Sequence, residues 1–319
     1  MDKTLIIKAK GGLGNRMLSA VSGLIFADLT GRRPIIDWRD GSYAPTGENA
    51  YPLLFDTPLT TPIEEFDDFE GPVSPAIWQG NLRKSPVNLI DEIDPKLHSG
   101  ARVYRRFCTD LTRLDAPEDL AVFWCYLPKF GRLTRHLRRD ARFRGKSEDA
   151  LLRDYLDRYF TPNARVREAV AGYKERFGRP LIGVHVRYTD RKIAVEPLEA
   201  ALDAALKKAP DARIFLATDN VEIQNRFSAR YGDVQFTDKY LPEDGARLHL
   251  PQADIEKQRE AENALIDIHL LAGCDHLICS RHSTFAETAI LIGQMRGRSV
   301  DVDRLNATVV AKRVIQRYI

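Results

Sequence analysis

The second half of the chain alternates strand-like and helix-like segments so regularly that few folds could accommodate it. Five apolar runs have the length and composition of buried strands: PLIGVHVR, RIFLATD, VQFTD, HLICS and SVDVD. Between them lie four stretches with helical periodicity, at 196–209, 221–231, 254–272 and 283–295. Strands joined by crossover helices pair in parallel and are covered by helices on both faces. This half is therefore predicted to be a Rossmann-like α/β domain.

The start of the chain shows the same alternation of strands and helices over a shorter length. The strand-like run Thr4 to Lys10 is followed by the glycine turn GGLGNR, an apolar helix over Met17 to Gly31 and a second strand, RPIIDW. Residues 39–120 are irregular and rich in turn residues, and AVFWCYL at 121–127 returns as a buried strand. We predict two α/β domains, an N-terminal one over residues 1–165 and a C-terminal one over residues 166–319.

Composition excludes several classes of protein. Hydrophobic residues make up 44% and charged residues 29% of the 319 positions, which is typical of a globular chain and not of a disordered one. No apolar run approaches the roughly 20 residues of a membrane span. The net charge of +3 is too small to indicate nucleic acid, so no nucleic-acid partner is expected.

Cysteine usage and the first residues bear on the compartment. The four cysteines show neither disulfide-rich density nor a CxxC or Cys/His spacing that would bind zinc. The opening residues are typical of a strand and not of a signal peptide. We therefore expect buried thiols and a cytoplasmic protein without a metal site. The one Asp-x-Asp pattern, at Asp301 and Asp303, ends the last strand and is interpreted as a solvated strand end.

Polar side chains cluster where the predicted strands end, and ligands of open α/β sheets bind at that edge. In HVRYTD, His185 and Arg187 project from the same face of an extended segment, and Asp190 follows them. A guanidinium there can bind phosphate oxygens through charge-assisted hydrogen bonds, each worth about 1.5–3 kcal/mol. Taken alone, the pattern is more typical of a structural ion pair between Arg187 and Asp190 than of a phosphate site.

Three other positions in the second half fit an anionic nucleotide. Asp219 ends the strand RIFLATD. Ser283 and Thr284 begin a predicted helix, where hydroxyls and unpaired N–H groups bind anions or simply cap the helix. Asp267 lies in an apolar helix, where a buried carboxylate needs a partner such as a purine edge or a neighbouring arginine.

Two further features keep alternatives open. The segment GGLGNR matches the dinucleotide fingerprint loosely, with Met17 in place of the last glycine, and Asp37 could serve as the ribose carboxylate of an NAD(P) enzyme. The segment 129–146 contains six arginines and two lysines. Such a run is most often a solvated helical face, and the alternative is a surface for phosphate, nucleic acid or an anionic acceptor.

Four blocks in the observed order resemble the fucosyltransferase superfamily of α1,6-, α1,2- and protein O-fucosyltransferases. These blocks are GGLGNRMLSAVSGLIFADLTGRRPIIDW, IGVHVRYTD, FLATDN and ALIDIHLLAGCDHLICSRHSTFAETA. Within that superfamily, the chain is similar to the NodZ-like bacterial α1,6-fucosyltransferases, which act on chitin-type oligosaccharides. The resemblance implies a GT-B fold with two Rossmann-like domains facing a cleft, and GDP-fucose bound mainly by the C-terminal one.

The resemblance also implies roles for individual residues. Arg187 would bind the diphosphate and neutralise departing GDP, His185 would contact the nucleoside, and Asp267 would read guanine. Ser283 and Thr284 would bind the β-phosphate, with Asp219 supporting the nucleotide site. In the N-terminal domain, the glycine loop of Gly12 and Gly14 would place Asn15 near the sugar.

The implied reaction is inverting transfer of L-fucose from GDP-fucose to a glycan, without a metal ion, because Arg187 and a helix N-terminus stabilise the leaving group. Inversion needs a general base, for which Glu196 and Asp190 are the candidates. Tyr188 stands where α1,6 enzymes usually have a second arginine, and Ala286 and Glu287 stand where several α1,2 enzymes have tryptophans. A GT-B transferase with another donor or acceptor, an NAD(P) oxidoreductase and a non-catalytic binding protein are the alternatives.

Overall fold

The structure is a computed structural model that describes residues 3–96, 100–188, 194–239, 241, 254–316 and 318. The chain divides into two compact units. Unit 1 comprises Met1–Thr161 and Lys312–Ile319, and unit 2 comprises Pro162–Ala311.

Unit 1 begins with the predicted strand–turn–helix–strand order and continues through short elements. Its strands are β1 (Thr4–Lys8), β2 (Arg33–Asp37), β3 (Phe55–Asp56), β4 (Val73–Ser74) and β5 (Leu120–Phe123), followed by β6 (Thr161–Pro162), which pairs with β3. Its helices are α1 (Leu13–Thr30), α2 (Ala50–Leu54), α3 (Pro86–Ile93), α4 (Ala101–Phe107), α5 (Phe130–Arg139) and α6 (Glu148–Tyr159).

Among the described residues of unit 1, the main sheet has four parallel strands in the order β2-β1-β5-β4. All five residues of β1 are buried, as expected for the centre of a parallel sheet covered on both faces. Helix α1 packs closely on this sheet because Gly23 has no side chain. A Cβ added there would lie 2.9 Å from side-chain atoms of Ile7 and Phe123.

Helix α1 starts earlier than the sequence predicted. The glycine turn was expected to reach Arg16, but helical structure begins at Leu13, directly after the N-cap residue Gly12. Gly14 and Asn15 therefore lie in the first helical turn. The positive φ of 84° at Gly11 makes the sharp turn without help from the later glycine.

Unit 2 is built almost as predicted. Its strands are β7 (Leu181–Val186), β8 (Arg213–Thr218), β9 (Val234–Gln235), β10 (His276–Cys279) and β11 (Ser299–Asp301). Its helices are α7 (Ala164–Phe177), α8 (Glu196–Lys208), α9 (Val221–Tyr231), α10 (Asp254–Ala272) and α11 (Thr284–Ile292), followed by α12 (Ala307–Gln316), which extends past Ala311.

In the described part of unit 2, the sheet has five parallel strands in the order β11-β10-β7-β8-β9. Apolar side chains of β7 and β8 pack with α8 and α9 in a buried cluster that includes Val184, Leu198, Leu216 and Phe227. Each unit is thus a helix-covered parallel sheet, and the predicted α/β class with Rossmann-like character is confirmed.

Three local expectations differ from the structure. Strand β5 stops at Phe123 and does not continue to residue 127, β9 has two residues and not five, and α12 was not predicted. Segment 129–146 forms α5 as a surface helix, with Leu133 and Leu137 buried and its arginines facing outward or half-buried. The four cysteines are buried thiols, and no helix among the described residues is long and apolar enough to cross a membrane.

Candidate functional site

The carboxyl edge of the unit 2 sheet brings several predicted site residues together. Strands β7 and β8 are aligned so that His185 pairs with Ala217 and Val186 with Thr218. Arg187 and Asp219 therefore follow neighbouring strands at the same level. The backbone N–H of Tyr188 donates to Asp219 Oδ1 at 2.8 Å, which ties the two strand ends together.

His185 is buried in an uncharged form. Its side chain is stacked on Phe285 of α11, with ring centroids 4.9 Å apart and an interplanar angle of 13°. Burial, together with the charges of Arg187 and Lys239, lowers the pKa of His185 to about 3. Within the described residues, no group hydrogen-bonds to its buried Nδ1 atom. A neutral imidazole with one unsatisfied nitrogen can bind a ligand at this position.

Two buried hydroxyls at the same edge also lack partners among the described residues. Thr218 Oγ1 at the end of β8 and Ser283 Oγ before α11 have no hydrogen-bond partner in the described part of the chain. Leaving a buried polar atom unsatisfied costs about 1–3 kcal/mol. Such atoms are rare in native proteins, and their occurrence at the ends of β7 and β8 and just before α11, at the ligand-binding edge of an α/β sheet, favours a site that a bound molecule completes.

Ser283 and Thr284 lie where the predicted anion site requires them. Ser283 is the N-cap residue of α11, and Thr284 is the first residue of the helix. Within the described structure, the Ser283 side chain makes no capping hydrogen bond, so the simple capping role is not observed. The hydroxyl and the first N–H groups of α11 can together bind a phosphate.

Asp301 and Asp303 are a structural support and not a solvated strand end, which corrects the interpretation of the Asp-x-Asp pattern. Both residues are half-buried. Asp301 Oδ1 accepts the Arg281 N–H at 3.2 Å, and Asp303 accepts the hydroxyl of Ser280. Together they hold the turn that leads from β10 to Ser283.

Asp267 is a buried carboxylate with partners from the end of β9. It is 2% exposed, accepts the Thr237 hydroxyl at 2.8 Å and forms an ion pair with Lys239 at 2.5 Å. The sequence predicted a purine edge or an arginine as the partner of Asp267, and Lys239 was not predicted. Because a carboxylate offers about four acceptor positions, these contacts leave capacity for a base edge.

The candidates for the general base are Asp190 and Glu196, and no described contact joins either of them to His185 or Ser283. Asp190 lies outside the described residues. Glu196 starts α8 with its side chain 72% exposed, and Arg226 binds it at 3.2 Å. The helix N-terminal N–H groups and Arg226 lower the pKa of Glu196, which weakens it as a base. The roles of Glu196 and Asp190 stay predictions.

In unit 1, the glycine segment is held rigidly at the carboxyl end of β1. Gly12, Gly14 and Asn15 form the entry to α1, and Asn15 is 4% exposed. Gly11 is closely covered, since an added Cβ would lie 2.7 Å from Tyr126 Cε2. Arg16 donates to the Gly11 carbonyl at 2.8 Å and binds Asp40 with both terminal nitrogens, at 3.0 and 2.6 Å.

Asp37 is fully engaged within unit 1. It forms ion pairs with Lys8 at 2.5 Å and with Arg39 at 3.0 Å, and its side chain is 2% exposed. Burial alone would raise its pKa, but the attraction of Lys8 and Arg39 outweighs burial and lowers it. The ribose role that kept the NAD(P) alternative open is therefore contradicted by the ion pairs that this carboxylate makes.

The described residues contain no group of three or more His, Cys, Asp and Glu side chains that could hold a metal ion. Besides Lys239, the sequence analysis missed Thr218. Both residues belong to the ends of predicted strands, so attention to every polar side chain at those ends would have found them. Lys8 was also missed, because a lysine within a short apolar strand gave no sign of its pairing with Asp37.

Comparisons with known proteins add to this picture, although no protein-family model matches the chain. The Nodulation protein Z of Bradyrhizobium diazoefficiens is 25% identical over 299 residues, which cover 87% of this chain and 75% of that protein. A crystal structure of NodZ alpha-1,6-fucosyltransferase soaked with GDP-fucose is 21% identical, with a TM-score of 0.63, and covers 91% of this chain and 93% of that one.

A more distant similarity reaches a plant enzyme. A structure of FUT1 from Arabidopsis thaliana in complex with GDP is 16% identical, with a TM-score of 0.55, over 92% of this chain and 69% of that chain. The similarity of solved structures confirms the GT-B type of fold that the sequence predicted. By sequence similarity to the curated relatives and by fold, this chain is related to the NodZ-like fucosyltransferase superfamily.

Proposed function

We propose that the protein is an inverting, metal-independent glycosyltransferase that transfers L-fucose from GDP-fucose to a glycan acceptor. The main supporting observation is that buried polar atoms of His185, Thr218 and Ser283 have no hydrogen-bond partner among the described residues. These residues lie at the carboxyl edge of the unit 2 sheet, where Arg187 also follows β7. The names of the similar proteins support the reaction class, and the unpartnered atoms support this edge as the donor site.

The leaving diphosphate would be bound by positive and dipolar groups. Arg187 follows β7, and the N-terminus of α11 with Ser283 and Thr284 lies beyond β10, the neighbouring strand. Negative charge develops on the β-phosphate as the glycosidic bond breaks. A fixed guanidinium and helix N–H groups stabilise that charge without a divalent cation.

The nucleoside would be bound by neutral His185 and buried Asp267. Because the pKa of His185 is lowered to about 3, its imidazole stays uncharged at neutral pH and can hydrogen-bond through Nδ1. Asp267 would accept N–H groups from guanine while Lys239 and Thr237 hold it in place. Asp219 would support the site by fixing the backbone next to Arg187.

The acceptor side of the proposal concerns unit 1. Gly12, Gly14 and Asn15 would contact the sugar, and the acceptor would be an oligosaccharide of the chitin type with an α1,6 linkage. Attack by the acceptor hydroxyl on the anomeric carbon, opposite to the diphosphate, inverts the configuration there. A base must remove the hydroxyl proton, and Glu196 and Asp190 are the candidates.

A ligand panel tests the donor. GDP and GDP-fucose should raise the melting temperature of the protein, whereas UDP and NADH should not, because a ligand that binds the native state stabilises it by mass action. Transfer of fucose to a chitin oligomer should persist in the presence of EDTA. Stabilisation by NADH alone would contradict the donor, and activity that EDTA abolishes and Mn²⁺ restores would contradict metal independence.

Substitution of Arg187 tests the mechanism. Arg187→Ala should lower kcat by about 10²- to 10³-fold, because a preorganised charge that acts on the leaving group is lost. The control is Arg230→Ala in unit 2, whose exposed side chain pairs with Asp203, and it should retain full activity. A near-normal rate for Arg187→Ala, with the fold intact by circular dichroism, would remove Arg187 from the diphosphate site.

A further inference from the structure

Unit 1 contains a small cavity that the proposed donor site does not use. It has a volume of about 90 Å³ and lies at the carboxyl end of β5, beside the end of α4 and the start of α5. Its lining includes Arg105, Cys108, Asp110, Trp124, Lys129 and Arg132. The segment 39–120 and the basic segment 129–146 both contribute to this wall, and the function proposed above assigns no role to either.

The cavity has a positive wall. Three cationic side chains and one carboxylate are among the residues that line it. Lys129 is 4% exposed, with Nζ 4.5 Å from the Tyr104 ring centroid. Arg132 pairs with Asp110 at 3.2 Å, and Arg105 is exposed. Burial raises the pKa values of Cys108 and Cys125, so both thiols stay uncharged and do not offset the cations.

The size of the cavity restricts what can enter it. An engineered protein cavity of about 150 Å³ binds a benzene molecule, so a cavity of about 90 Å³ holds one small polar group and not a sugar ring. Guanidinium groups bind the planar carboxylate and the phosphate oxygens in a bidentate geometry. The shape and charge of the cavity thus fit a single acid group on a larger molecule.

The surface around the cavity extends this charge. Helix α4 exposes Arg102 and Arg106, and α5 exposes Arg135, Arg138 and Arg139. Helix α5 contacts the loop that follows α4, because His136 Nε2 lies 3.0 Å from the Thr112 carbonyl oxygen. A basic surface around a confined site attracts anions and raises their association rate.

We propose that this cavity binds an acid group, a carboxylate or a phosphate, that is attached to the acceptor saccharide. The proposal rests on the proposed function, because it takes unit 1 as the acceptor side of a glycosyltransferase. It adds an acid group to the chitin-type oligosaccharide that the proposed function takes as the acceptor. A nucleic acid is disfavoured, because the net charge of the chain is only +3 and the cavity admits one isolated group.

Binding by calorimetry at about 150 mM salt, where long-range surface electrostatics are screened, tests the proposal. The probes are an oligogalacturonate, a phosphorylated chitin oligomer, a neutral chitin oligomer, inorganic phosphate and a short RNA. One variant combines Arg105→Gln with Arg132→Gln in the cavity. The matched control combines Arg138→Gln with Arg139→Gln, which changes the net charge equally on exposed residues outside the lining.

We expect an acidic oligosaccharide to bind at least about tenfold more tightly than the neutral one, and the cavity variant to lose about tenfold in that affinity. The control variant should change less than about twofold, since surface substitutions have small effects. Preference for the galacturonate or for the phosphorylated oligomer identifies the acid. In fucose transfer, the cavity variant should raise KM for the acidic acceptor and leave kcat unchanged.

Several results would overturn the proposal. These are equal binding of acidic and neutral oligomers, equal losses in both double variants, binding of inorganic phosphate but no saccharide, or tighter binding of RNA. Stabilisation by GDP is measured on each variant in parallel. If GDP stabilises all of them while the acidic saccharides fail to bind, the cavity proposal fails and the proposed donor function stands. If GDP does not stabilise the unmodified protein, the proposed function itself fails.

Discussion

The carboxyl edges of the two parallel sheets differ in how many of their buried polar groups have partners. In unit 1, Lys8, Asp37 and Arg39 form a closed ion-pair network at the ends of β1 and β2, and Arg16 pairs with Asp40. In unit 2, His185, Thr218 and Ser283 each keep a buried polar atom without a partner among the described residues. At the same edge of the same type of sheet, buried charges are paired with each other in unit 1, whereas three buried polar atoms lack a described partner in unit 2.

The difference separates groups that hold the fold from groups that await a ligand. Saturated charges stabilise the native state and have little capacity left for a small molecule. Unsaturated buried atoms destabilise the empty protein and become satisfied on binding. Unit 1 has exceptions near its edge, because the indole N–H of Trp38 and the Oδ1 atom of Asp67, an ion-pair partner of Arg39, have no hydrogen-bond partner in the described chain. The contrast in the paired charges supports the proposal that the donor binds to unit 2.

The largest effect is expected from breaking the closed network. Lys8→Met should lower the free energy of unfolding by about 3 kcal/mol, because it leaves the buried carboxylate of Asp37 without one of its two cations. Urea unfolding followed by tryptophan fluorescence measures this directly, since Trp38, Trp78 and Trp124 all belong to unit 1. The control is Lys146→Met, whose half-exposed pair with Asp154 should contribute less than about 0.5 kcal/mol. Equal effects of the two substitutions would show that the network is not a stabilising feature.

Mild acid should lower the stability of unit 2 more than that of unit 1. The pKa values of His185 and His269 are lowered by burial from 6.5 to about 3 and about 4, so the unfolded chain takes up protons first as the pH falls. At about pH 5.5 each histidine should lower stability by on the order of 1.4 kcal/mol. The pKa of Asp37 is lowered below 3.8, so its stabilisation persists at that pH and is lost only in stronger acid.

Amide hydrogen exchange at neutral pH and at about pH 5.5 resolves the two units. Protection should fall in β7 and α10 and stay unchanged in β1. His269→Gln removes one titrating group, which faces Lys174, and should reduce the pH dependence in unit 2. Equal loss of protection in β1 would show that the acid effect does not arise from these histidines.

The smallest effect is expected at the unsaturated edge, where affinity should fall and stability should not. Ser283→Ala and Thr218→Val should each weaken GDP binding by about three- to tenfold, which corresponds to one neutral hydrogen bond of about 0.5–1.5 kcal/mol. The free energy of unfolding of the empty protein should rise by about 1 kcal/mol, since each substitution removes a buried hydroxyl that has no partner among the described residues. Calorimetry with GDP and urea unfolding measure the two quantities, with Ser228→Ala on α9 as the control. A loss of stability without a loss of affinity would assign both hydroxyls to the fold.

The fold was predictable because its signals are local. The alternation of apolar strands and periodic helices in the second half determined the sheet of unit 2, and the glycine segment marked the first turn. Arg187, Asp219 and Ser283 could be singled out because parallel strands place their following residues at one edge. The start of α1 was predicted too late because a glycine such as Gly14 is equally compatible with a loop and with the first turn of a helix.

The rest depends on contacts that no local pattern encodes. Lys8 and Asp37 are opposite partners in the register of β1 and β2, so their pairing appears only when the two strands are aligned. Lys239 reaches Asp267 across 28 positions of sequence. The cavity in unit 1 joins residues from α4, β5 and α5, none of which would indicate a site by itself.

The two aspartates behind the β10–α11 turn show how a recognition surface can depend on residues that never meet the ligand. Asp301 and Asp303 fix the backbone of Arg281 and the hydroxyl of Ser280, and Ser283 follows directly. The position of a bound phosphate would therefore depend on two carboxylates that do not touch it. In this chain, two negatively charged side chains would hold the backbone of a loop that binds a negatively charged ligand.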